Sequence, residues 1–128
     1  MNSKEIGNLG EKIAQEYLKK KRYKILDTNF KKKWGEIDIV AKKQQVIIFV
    51  EVKTLRRAER AEDKAFIPEN EIDWKKKKQL RKITQIYLSE NKISLNRPYQ
   101  IDIMAVEISP DLKESKIRHH ENAIEDIY

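Results

Sequence analysis

The amino-acid sequence predicts an α/β fold, a mixed β-sheet flanked by helices, on three observations. These are an amphipathic stripe near the start, two apolar strands joined by a short polar turn, and a later helix leading into another apolar strand. The stripe is Ile6, Leu9, Ile13, Ala14, Tyr17 and Leu18, whose spacing predicts a helix over residues 3–21 with Ser3 as its N-cap. Lys19, Lys20, Lys21 and Arg22 then suit the negative end of the helix dipole. Residues 23–26 are expected to form a short edge strand, followed by a polar turn through Asp27, Thr28 and Asn29.

The hairpin is the strongest pattern. Residues 35–41 and 46–53 flank the polar stretch Lys42-Lys43-Gln44-Gln45, and the second run is apolar on both faces, as a central strand covered on each side would be. Residues 54–70 turn polar without periodicity, which predicts a mobile loop. A second helix over residues 71–89 turns Ile72, Leu80, Ile83, Ile86, Tyr87 and Leu88 mostly inward. Residues 99–108 form a further buried strand and 117–124 a short final element, all within one domain spanning residues 1–128.

Lys and Arg number 28 against 21 for Asp and Glu, a net charge of +7 that suits a polyanionic partner such as nucleic acid. Ordinary solvated surface accounts for such totals equally well, so position has to decide. The chain has no cysteine, which excludes a disulfide framework, a zinc-thiolate site and a cysteine nucleophile. Residues 1–7 lack the apolar core of a secretory signal, and no later run reaches bilayer-spanning length. A soluble, cytoplasmic protein with no membrane partner is therefore expected.

Asp38 sits between Ile37 and Ile39, and Glu51 between Val50 and Val52, both inside apolar runs where unpaired carboxylates are rare. If the turn is the four residues 42–45, Ala41 pairs with Val46 and Asp38 lies opposite Phe49. Alternation then places Asp38, Phe49, Glu51 and Lys53 on one face, with Glu51 a diagonal neighbour about 7–8 Å from Asp38. Two such carboxylates repel each other, and Mg²⁺ or Mn²⁺ would relieve the conflict through hard oxygen ligands. The ion would acidify a bound water and offset charge on a scissile phosphate, with Lys53 orienting the nucleophile or stabilising the transition state. The alternative is a buried Asp/Glu–Lys salt bridge with no ligand.

Glu11, one turn after Gly7, is a further catalytic and metal-ligand candidate, balanced against an ordinary exposed helical Glu. Trp34 adjoins Lys31, Lys32 and Lys33, and Trp74 adjoins Lys75, Lys76, Lys77 and Lys78, arrangements that combine phosphate attraction with base stacking. Core packing is nonetheless the favoured expectation for both tryptophans. Asp102 is expected to make a structural hydrogen bond, and His119 and His120 have no partner at zinc-ligand spacing.

Gly10-Glu11, Asn29, Gly35 to Val40, Phe49 to Thr54, Lys76 with Leu80, Ile101-Asp102, and His119 with Asn122-Ala123 together resemble the bacterial YraN-like family, over nearly the whole chain. The resemblance implies a restriction-endonuclease-like fold, similar to archaeal Holliday-junction resolvases and RecB-type nuclease domains. On it, Glu11, Asp38, Glu51 and Lys53 fall at the Glu, Asp and Glu-x-Lys positions of the nuclease signature. Leu55 stands where the family pattern has Arg. The activity expected from the acids on one face, Lys53 and the basic surroundings is Mg²⁺- or Mn²⁺-dependent cleavage of DNA, branched or single-stranded. A homodimer and a nucleic-acid-binding accessory protein without turnover both stay open.

Overall fold

The computed structural model describes residues 1–57 and 72–124. Helix α1 (Ser3–Lys20) is followed by strands β1 (Lys24–Lys32), β2 (Gly35–Lys43) and β3 (Val46–Arg56), then helix α2 (Trp74–Glu90) and strands β4 (Tyr99–Ile108) and β5 (Ser115–His120). The strands form one mixed sheet in sequence order, antiparallel except where β4 runs parallel to β3. That parallel pair needs a crossover, and α2 lies within it. The predicted α/β architecture is thus observed.

Alternation in β2, β3 and β4 divides the core into two layers. Ile39, Ala41, Ile48, Val50, Met104 and Val106 pack with Ala14 and Leu18 of α1, whereas Val40, Ile47, Phe49, Ile101 and Ile103 pack with Leu80, Ile83 and Tyr87 of α2. A helix on each face explains why β3 is apolar on both sides. Among the described residues no helix is long and apolar enough to cross a membrane.

Local departures from expectation have simple causes. Asn2, not Ser3, caps α1: its side chain accepts from the Glu5 N–H at 2.9 Å while Glu5 accepts from the Asn2 N–H at 3.1 Å. Asp27, Thr28 and Asn29 make no turn but belong to the long strand β1, which absorbs its irregularity as a bulge at Leu26 and a left-handed Asn29 (φ 53°). Thr54, Leu55 and Arg56 continue β3, while the rest of the expected loop, apart from Arg57, lies outside the described residues, as does Glu71. Helix α2 begins at Trp74, where the Asp73 carboxylate accepts from the Lys76 N–H at 2.9 Å. The final element is a strand, β5, starting two residues before the expected Ile117.

The hairpin turn is two residues, Gln44 and Gln45, with Gln44 in the left-handed region at φ 56°. Lys43 pairs with Val46, Val40 with Phe49, and Ile39 with Val50. The register therefore differs by two residues from the expected one. A shift of two preserves faces, and it sets Asp38 directly across from Glu51.

Candidate active site

One end of the sheet gathers the start of β2, the end of β3 and the first turns of both helices. Gly10 explains the approach of α1, because a Cβ there would overlap the Thr54 side chain. The helix consequently lies directly on β3, and Glu11 is the next residue. Gly7, one turn earlier, faces open space and lines a cleft of about 540 Å³ together with Asn2, Glu11, Lys53 and Thr54. Helix α2 is held to the β1–β2 turn by Gln79, whose Nε2 donates to the Trp34 carbonyl at 2.7 Å. Gly35 (φ 151°) leaves no space between backbone and the Gln79 side chain for a Cβ.

Asp38 and Glu51 are both buried. The hydrogen-bonded ladder between β2 and β3 stops at Ile39–Val50, and the next step is made by a side chain: the Val52 N–H donates to Asp38 Oδ2 at 2.7 Å. From α2, Lys76 Nζ comes within 3.3 Å of Glu51 Oε2. This is an ion pair by distance only, for Glu51 Oε2 makes no hydrogen bond, and neither does the equally buried Glu11 Oε1.

Burial pushes the Asp38 carboxyl well above the usual carboxylate range, the charge and hydrogen-bonding of Glu51 add to the rise, and the Val52 N–H opposes it. Glu11 is pushed up to about 7, by burial first and then by the charges of Asp38 and Glu36. Glu36, exposed beside the start of β2, is an acidic neighbour that periodicity gave no reason to single out.

Among the described residues, no three carboxylate or imidazole groups converge closely enough to cage an ion as they stand. The chemistry of the donors nevertheless fits a hard divalent cation. Glu11 and Glu51 each hold a buried oxygen with no hydrogen-bond donor, within electrostatic reach of an Asp38 that burial and charge disfavour as an anion. Lys53 lines the cleft with Glu11, whereas Asp38 and Glu51 are not among the residues that line it.

The family model described as "Uncharacterised protein family UPF0102" matches residues 10–106, a span running from Gly10 and Glu11 past Asp102. A UPF0102 protein of Caldanaerobacter subterraneus subsp. tengcongensis is 40% identical over 124 residues, covering 96% of this chain and 97% of the relative. Another, from Clostridioides difficile, is 40% identical over 123 residues, covering 96% and 99%. The chain belongs to the UPF0102 family. The YraN-like resemblance and UPF0102 are one and the same family.

Several features of this UPF0102 chain were not foreseen. Trp34 and Trp74 are not core residues; they are 50% and 64% exposed. Lys76, expected to face nucleic acid, instead reaches Glu51, and Lys32 is paired with Glu90 at 2.8 Å. Lys31, Lys33, Lys75 and Lys78 are exposed and enter no ion pair with the described residues. Asp102 makes the expected structural hydrogen bonds: Oδ1 accepts from Gln100 Nε2 at 2.9 Å and the Asn122 N–H at 2.8 Å, and Oδ2 lies 2.7 Å from His119 Nε2. With Tyr17 and Tyr23 against the imidazole, His119 belongs to a brace between β4, β5 and α1.

Proposed function

We propose that this protein is a cytoplasmic, divalent-metal-dependent phosphodiesterase acting on DNA. The observation that carries the reading is the pair of buried, hydrogen-bond-starved carboxylate oxygens on Glu11 and Glu51 beside Asp38, an arrangement that packing alone would penalise. Asp38, Glu51 and Glu11 would hold Mg²⁺ or Mn²⁺. When bound, the ion supplies acidification of a water and neutralisation of charge on the scissile phosphate. Lys53, in the cleft beside Glu11, places a cation where charge grows in the transition state. Lys76 holds Glu51 from the α2 side. The first turn of α1 borders the same cleft and adds the positive end of its dipole for a phosphate.

Purified protein incubated with branched, single-stranded and duplex DNA should cleave at least one of them with Mg²⁺ or Mn²⁺ and none in chelator. Asp38→Ala and Lys53→Ala should each lower the rate about a hundredfold or more. Full activity in both variants would remove the assignment of the site.

Two observations favour a second reading, an accessory protein that binds nucleic acid without turnover: Lys76 already offsets the Glu51 charge, and no finished cage is present among the described residues. That reading predicts salt-sensitive DNA binding with no metal-stimulated cleavage of any substrate.

A further inference from the structure

The chain has two tryptophans, and both are among the most exposed large apolar side chains of the described residues. Each ring has lysine ammonium groups close to it. Lys33 and Lys82 lie 5.9 and 5.2 Å from the Trp34 centroid, and Lys78 lies 5.3 Å from that of Trp74. Trp74, Lys78 and Lys82 recur every four residues along α2, so they form one exposed stripe about 12 Å long. Lys82 connects that stripe to Trp34, at the tip of the β1–β2 hairpin. Lys33, Lys78 and Lys82 have no acidic partner among the described residues.

We propose that Trp34 and Trp74, with Lys33, Lys78 and Lys82, form a stacking platform for unpaired bases, so that DNA reaching the acidic site carries a single-stranded segment. The substrate class rests on the nuclease reading above, while the platform rests on its own geometry. The largely exposed indoles offer a base a flat surface once the ammonium groups that lie over them turn to its phosphates. A duplex conceals its base faces in the stack; an unpaired strand presents them. The platform and the acidic cluster share both supporting elements. Asp38 follows Trp34 by four residues of β2, about 13 Å, and Lys76, which pairs with Glu51, lies between Trp74 and Lys78 on α2.

Because the two tryptophans both lie in the platform, emission excited selectively from indole reports on it alone. In chelator, an oligothymidylate of about 12 nucleotides should quench that emission, and a blunt duplex of equal length should not. By anisotropy of a labelled strand, Trp34→Ala and Trp74→Ala should each weaken binding about tenfold, with partial recovery in the corresponding Phe variants. Equal quenching by duplex and single strand, or wild-type affinity in both Ala variants, overturns the platform. Single-strand quenching without cleavage of any DNA would leave the platform standing and remove the nuclease reading; metal-stimulated cleavage without quenching would do the reverse.

Discussion

Asp38 and Glu11 make the protein's stability depend on pH in a direction opposite to that of an ordinary paired carboxylate. Both groups bind their protons more tightly folded than unfolded, so between the ordinary carboxylate range and about pH 7 the native state holds more protons. Stability from these groups is therefore present at acid pH and lost as pH rises. Glu107, paired with Arg57 and Arg118, titrates lower than usual and acts in the opposite sense, at more acid pH. Melting in chelator should accordingly show a higher midpoint at about pH 5.5 than at about pH 8, and the difference should shrink in a Glu11→Gln/Asp38→Asn variant. Mg²⁺ or Mn²⁺ should raise the midpoint at the higher pH in wild type and not in that variant. An unchanged pH profile in the variant would show that these carboxyls are not the crowded pair described here. At this scale the sequence was informative about Asp38, Glu51 and Lys53, since acids inside apolar runs are rare. It was uninformative about Lys76, because one lysine in a run of four looks like solvated charge until α2 is placed against β3.

Gly10 governs how an element is seated. The backbone of α1 touches the Thr54 side chain there, and Glu11 is carried to the cleft by that contact. Gly10→Ala should cost about 1–3 kcal/mol of stability by overpacking, and denaturant unfolding measures it. Because α1 must lift from β3, cleavage should fall by more than the unfolded fraction accounts for, while oligothymidylate binding stays intact. Wild-type stability in this variant would mean that α1 sits less tightly than the contact indicates. The helices were legible in the sequence because their faces alternate between core and solvent with a clear period, and β3 and β4 because their runs are apolar on both faces. The hairpin turn was misjudged because Lys42 and Lys43 look like turn residues yet continue β2 beyond the cover of the helices. The tryptophans were misjudged for a related reason: hydrophobic character argues for burial, and no local pattern shows that the tip of a hairpin and the first residue of α2 lie outside the core.

The whole molecule carries a net charge of +7 around a notch in which Glu11, Glu36, Asp38 and Glu51 are concentrated. Such a surface attracts a polyanion generally and repels phosphate at the notch itself, so binding and cleavage should respond to different ions. Lys31, Lys33, Lys75, Lys78 and Lys82 are exposed without acidic partners among the described residues, and they flank the notch on β1, the hairpin tip and α2. With each neutralising one phosphate, log affinity for single-stranded DNA should fall against log monovalent salt with a slope of about −3.5, from about −0.7 for each contact. Replacing any one of these lysines by Gln should make the slope shallower by about 0.7. Lys32, tied to Glu90, should leave it nearly unchanged. Asp38→Asn removes a repelling charge, so in chelator it should bind the strand at least as tightly as wild type while losing metal-stimulated cleavage. A slope near zero, or one altered equally by Lys32 and Lys78, would mean that the strand does not follow the path between the two tryptophans.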